Sequence, residues 1–204
     1  MARAAREGTA PDGRRTVHAE TREQWRAWLA EHHAEPEGAW LVSWKKATGK
    51  PFVPYADAVE EGLCVGWVDS RPGKLDEERS LLWFAPRKRG SGWSRPNKER
   101  VERLTAAGLM LPAGLAVVEA ARADGSWTKL DEVEDLVEPD DLRAALDAQP
   151  AARSAWDAFP RSAKRGILEW IVQAKKPETR ATRVATTVAE AREGRRANQW
   201  RPRG

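Results

Sequence analysis

Apolar residues in the second half of this 204-residue chain recur only at helical spacing, and prolines and glycines cut the pattern into short pieces. In KERVERLTAAG, Val101, Leu104 and Gly108 fall on one face, after a helix entry formed by Ser94, Pro96 and Asn97. Pro112 opens PAGLAVVEAARADG, which stops at Gly125 as a helix C-cap would. Pro139 starts a short helix that ends near Ala148, and Pro150 starts another that carries Trp156 and Phe159 and closes at Pro160. Ile167, Trp170, Ile171 and Ala174 keep i, i+3, i+4, i+7 spacing up to the break at Pro177. Val184, Thr187, Val188 and Ala191 repeat it up to Gly194. Such a run of short amphipathic pieces folds as packed helices.

The first half reads differently. Residues 1–19 lack hydrophobic periodicity and are rich in Arg, Gly and Ala, so a frayed basic arm is expected there. Thr21 suits the N-cap of REQWRAWLAEHH, in which Trp25, Trp28 and Leu29 share a face. Gly38 opens the β-prone run AWLVSWKKA, which ends at the turn TGKP. Pro54 precedes a second helix with Ala58, Val59, Leu63 and Cys64 turned inward. Around the turn signal Arg71-Pro72-Gly73-Lys74, two or three antiparallel strands are predicted. No strand–helix–strand unit recurs in the way a parallel sheet needs, so the fold class is α+β. A small antiparallel sheet with flanking helices forms the N-terminal half, and the C-terminal half is all-helical. The expected organisation is an arm over 1–19, an α+β domain over 20–125, an acidic connector over 126–138, a helical domain over 139–194 and a basic tail over 195–204.

Charge is uneven along the chain. Residues 131–147 hold eight acidic side chains against Arg143 alone. Segments 87–103 and 161–183 each hold seven basic and two acidic residues, and 192–204 holds five arginines and one glutamate. These basic stretches either pair with the acidic connector or present a face that attracts phosphate. No run of about 18 apolar residues occurs, so no membrane insertion is expected, and the N-terminus lacks the apolar core of a secretory signal. A single cysteine, Cys64, fits a reducing, cytoplasmic setting.

Chemistry-bearing motifs are scarce. His18 lies in the arm, while the adjoining His32 and His33 point in different directions and do not make a metal site. Phosphate-loop, dinucleotide-fold and hydrolase-elbow patterns are absent. No catalytic residue, metal ligand or cofactor is assigned. The eleven tryptophans stand out, because several indoles converging on one groove would stack on a flat ligand or a base. Trp67 and Asp69, two apart on a strand, share a face, and Trp83 on a neighbouring strand could lie beside them. Arg87 would sit at the strand's end near the helix entry at Ser94, where an anion is favoured. The alternative is structural, with Asp69 paired to Arg87 and Trp93 plugging the sheet.

Seven stretches carry a resemblance: TREQWRAWL, GAWLVSWKKATGKP, YADAVEEGLCVGWVDSR, KLDEERSLLWFAPRK, SGWSRPNKERVERLTAAGLM, PAGLAVVEAARADGSW and RSAKRGILEWIVQAKKPETRATRVATTVAEAREGRRAN. Over residues 17–200 the chain resembles the bacterial YdeI/OmpD-associated family, whose helical C-terminal part is the OmdA, or bacteriocin-protection, domain. Members usually read LCFGWID, where this chain has Val65 and Val68. Their PR…S.WS..N pattern falls on Pro86, Arg87, Ser91, Trp93, Ser94 and Asn97, with no agreed catalytic role. The resemblance implies a part in bacteriocin, antibiotic or stress tolerance, with no reaction or cofactor attached.

Together these readings give a non-enzymatic cytoplasmic binding protein whose partner is a planar aromatic small molecule. Its groove is expected to use Trp40, Trp67 and Trp83, rimmed by Asp69, Arg87, Trp93, Ser94 and Asn97. Two other readings stand beside it: a nucleic-acid-binding protein using the basic helices and tail, and an enzyme with Asp69 as acid or base and Arg87 as anion clamp.

Overall fold

The computed structural model describes residues 4–199. The first residues of the expected arm, Trp200 and the end of the basic tail lie outside them. The chain divides into two compact units, Met1–Trp127 and Thr128–Gly204.

The first unit is built on a five-stranded sheet in the order β1-β2-β3-β5-β4. Strands β1 (Arg6–Thr9) and β2 (Arg15–His18) form an antiparallel hairpin where a frayed arm was expected. Pro11-Asp12-Gly13 makes its turn: Gly13 adopts φ 78° and donates to the Ala10 carbonyl at 2.9 Å. Val17 and Ala19 are fully buried, which anchors the segment to the core. Helix α1 (Arg22–His32) then carries the chain across to β3 (Ala39–Trp44), which pairs parallel to β2. The sheet is therefore mixed rather than wholly antiparallel, because a crossover helix lets the chain return in the same direction. Helix α1 starts in a reciprocal capping box between Thr21 and Gln24.

After a 3-10 turn at Lys46–Thr48, helix α2 (Tyr55–Cys64) leads into β4 (Trp67–Lys74) and β5 (Arg79–Pro86). The predicted turn at 71–74 lies instead within β4, and the chain reverses at Leu75–Glu78. Pro72 is tolerated there because β4 is an edge strand. Asp76 holds the real turn, its Oδ1 accepting from the amides of Glu78 at 3.0 Å and Arg79 at 2.7 Å. The β4–β5 register shifts between Asp69 and Pro72, a bulge that re-aims the intervening side chains.

Register assigns the two faces. Ala39, Phe84 and Asp69 stand opposite one another, as do Val17, Leu41 and Leu82. That face packs against α1, α2, α3 (Arg95–Ala106) and α4 (Pro112–Ala123) around Trp25, Trp67, Phe84 and Trp93. The other face carries Thr16, Trp40 and Trp83 in one row and His18, Val42 and Leu81 in the next. Its smaller cluster comprises Ala10, Trp40, Val42 and Leu81, with Leu75 and Trp83 against them.

The second unit is helical: α5 (Asp131–Glu134), α6 (Asp140–Asp147), α7 (Pro150–Asp157), α8 (Arg161–Val172) and α9 (Pro177–Arg192). Its core gathers Leu142, Leu146, Trp156, Ile167, Ile171 and Val188, the positions that keep helical spacing in the sequence. Leu130 and Val133, inside the acidic stretch, are buried in the same core.

Candidate functional site

The sheet face turned away from α1–α4 bears a recess of about 660 Å³, lined in part by Gly13, Arg14, Glu37, Gly38, Arg71 and Trp83, its one aromatic lining residue among those described. Strand register places Trp83 there, backed by Trp40. Trp40 on β3 and Trp83 on β5 are direct cross-strand neighbours, meeting edge to face at 5.1 Å with ring planes 73° apart. Trp40 is buried and donates its indole N–H to Asp12 Oδ2 at 3.2 Å, while Trp83 is half-buried.

Two guanidiniums lie on these rings. Arg14, from the β1–β2 turn, is 4.9 Å from the Trp83 centroid. Arg71, placed there by the β4 bulge, is 5.0 Å from Trp40 and 5.5 Å from Trp83. Asp12 reaches both only at the limit of an ion pair, 3.9 Å from Arg14 and 4.0 Å from Arg71. Neither guanidinium makes a hydrogen bond among the described residues. Apart from this distant contact with Asp12, their N–H groups can meet a further anion.

Gly38 shapes the recess wall. A Cβ there would sit 2.4 Å from the Phe84 carbonyl oxygen and 2.5 Å from Trp83 Cζ2. The absent side chain lets the backbone close against the indole.

The expected groove residues do not assemble in one place. Trp83 lines the recess, and Trp40 is buried beside it. Trp67 is on the opposite face, 1% exposed, with its indole N–H donating to the His33 carbonyl at 3.0 Å. It packs edge-on against Trp28, inside the core. Asp69 does share the Trp67 face, and it accepts from the Tyr55 hydroxyl at 2.9 Å. Arg87 and Trp93 form a separate pair, the guanidinium 3.8 Å from the ring centroid. Ser94 caps α3 through its carbonyl, which accepts from the amides of Asn97 and Lys98, and its hydroxyl makes no cap bond. Asn97 Oδ1 accepts from Arg100 at 2.9 Å. The alternation rule pointed to Trp67 and Asp69 sharing a face; the offset that sends Trp83 to the other side is a matter of register. Arg14 was missed as a site residue, although Pro11-Asp12-Gly13 is a hairpin signal that would have brought it into view.

Other polar groups have structural partners. Arg22 binds Asp57 at 3.0 Å, Glu60 at 3.0 Å and Glu61, joining α1 to α2. Several arginines of segment 161–183 are engaged internally: Arg165 with Glu134 and Glu169, Arg180 with Asp141, and Arg183 with the Trp170 carbonyl. Among the described residues no group of three or more His, Cys, Asp and Glu is placed to hold a metal ion. Nor is any helix among them long and apolar enough to cross a membrane.

Residues 135–194 match the family described as Bacteriocin-protection, YdeI or OmpD-Associated. Residues 17–117, which hold the recess residues Gly38, Arg71 and Trp83, match a domain of unknown function, DUF8412. Neither a curated protein nor a solved structure matches the chain.

Proposed function

We propose, for a chain that carries a YdeI/OmpD-associated bacteriocin-protection domain over residues 135–194, that the sheet recess of the first unit binds a planar anionic small molecule. The protein then contributes to tolerance of an antibacterial compound by holding it in the cytoplasm, without chemical conversion. One observation carries this reading: Arg14 and Arg71 lie over the Trp83 ring and line a 660 Å³ recess, with no hydrogen bond to their guanidiniums among the described residues. A flat aromatic acid would lie against the Trp83 ring and place its carboxylate near both guanidiniums, which only Asp12 approaches, at 3.9–4.0 Å. The volume falls in the range of ordinary small-molecule pockets, about 300–1,000 Å³.

The test is calorimetric titration of the full chain with a panel of aromatic carboxylates, repeated on Trp83→Ala and Arg71→Gln. Saturable binding that weakens about tenfold or more in each variant is the expected result. Failure of every compound to bind, or affinity unchanged in both variants, overturns the assignment. Trp67→Ala is not a test of the site, because its indole belongs to the core. A salt series with a DNA duplex covers the competing reading: binding to it that falls steeply with ionic strength would move function to nucleic acid.

A further inference from the structure

Arg87 lacks the carboxylate partner that several half-buried arginines of this chain have, and its Nε is left without an acceptor among the described residues. Arg22, Arg153 and Arg165 each have a carboxylate oxygen within 3.0 Å. Arg87 has none within ion-pair distance among the described residues. One Nη donates to the Gly92 carbonyl, its face lies on Trp93, and its Nε is buried with no acceptor. Burial draws its pKa down to about 10, with Asp69 as the opposing charge. A desolvated cation without a counter-ion is costly, and an anion that completes it gains accordingly.

The guanidinium lines a small cavity of about 110 Å³ between the loop 87–93 and α4. Trp93, Val117, Ala120 and Ala121 make most of its wall apolar. Lys88 and Arg89 add positive charge at the loop, and Arg89 lies 3.5 Å from Asp124, whose carboxylate is also tied to the Ser126 amide. A bare inorganic anion matches the cation but wastes the apolar wall. We infer that this cavity is a second binding site, for a small monocarboxylate with a short apolar tail. The carboxylate pairs with Arg87 and the tail lies on Trp93 and the α4 alanines.

Nitrogen-15 NMR of the full chain titrated with butyrate tests this, with inorganic phosphate as the comparison anion. Butyrate shifts the Arg87 Nε–H and Trp93 indole N–H resonances saturably, and phosphate does so at least about tenfold more weakly. Ala120 is exposed on α4, so Ala120→Phe fills the cavity from its outer side, with no core side chain replaced, and abolishes the butyrate response. Arg87→Gln does the same; where that variant does not fold, Ala120→Phe decides. Equal response to phosphate, a response that survives Ala120→Phe, or no response to butyrate overturns the inference.

Discussion

Glu138 Oε1 accepts the indole N–H of the fully buried Trp156 at 2.7 Å, while the same carboxylate takes two 2.7 Å bonds from Arg153. One side chain thus satisfies a core tryptophan and an arginine that also faces Asp157 and Asp147. Glu138→Ala leaves the indole donor and the guanidinium without their main acceptor, and is expected to cost the second unit about 2–4 kcal/mol in denaturant unfolding. Hydrogen bonds from Arg153, then from Trp156, outweigh burial and hold the Glu138 carboxyl below its ordinary 4.5. Its contribution is present above that value and drains away as pH falls through the lowered one. Trp156→Phe keeps the ion pair and is expected to lose less, chiefly through core volume.

The ion cluster of the first unit predicts a comparable loss. Glu61 is 1% exposed and is met by Arg22 and by Arg26, the latter at 2.7 Å, while Glu60 is shared between Arg22 and Arg103. Burial alone would raise the Glu60 carboxyl, but bonds from Arg103 and Arg22 override it and keep the pKa low. Arg22→Met removes the one cation common to both glutamates. Thermal unfolding should show about 2–3 kcal/mol lost, with Arg26 and Arg103 limiting the damage.

These helices were legible in the sequence because their signals are local. Thr21 caps α1, Pro112 and Pro150 each begin a helix as expected, and Pro177, read as a break, is the first residue of α9. The sheet was less so. Val17 and Ala19 are buried although nothing periodic surrounds them, since two short strands supply too few residues for alternation to show. The candidate site was half legible: an unusual tryptophan content points to aromatic surfaces but carries no register. Trp40 and Trp67 fall on opposite faces because β4 pairs through Asp69–Phe84 and β3 through Trp40–Trp83. A shift of one residue would have reversed that. Arg71 reaches the recess only through a bulge, which spacing along the chain does not announce.

Gly38 offers a backbone test of the recess that replaces no ligand-facing side chain. With a Cβ only 2.4 Å from the Phe84 carbonyl oxygen, Gly38→Ala forces β5 or Trp83 to move. A cost of about 1–3 kcal/mol is expected, with a change in the near-ultraviolet dichroism of the tryptophans. Binding of any recess ligand should weaken in parallel. Unaltered dichroism would show that the wall yields elsewhere.

Cys64 is 4% exposed, and burial, followed by the charge of Glu61, pushes its thiol up to about 11. The thiolate needed for reaction is therefore scarce at neutral pH. Ellman's reagent should modify it at least about a hundredfold faster in denaturant than in the native protein. Rapid native labelling would mean that α2 opens readily.

His18 gives the first unit a pH dependence of defined sign. It is 9% exposed on β2, packs edge-on to Trp44 at 5.0 Å, and its Nε2 has no hydrogen-bond partner among the described residues. Burial lowers its pKa below 6.5, Arg6 and Arg79 add to that, and Glu20 opposes them. Lys50 sits 4.0 Å over the Trp44 ring and keeps the surroundings cationic. The unfolded chain takes up this proton more readily than the folded one. The stability His18 allows is therefore full above about pH 6.5 and is lost as pH falls through the lowered value. His18→Phe keeps the aromatic contact and removes the titration, so its melting temperature should fall less than that of the native chain across the same acid range. Parallel acid profiles for the two would place the proton uptake on another group.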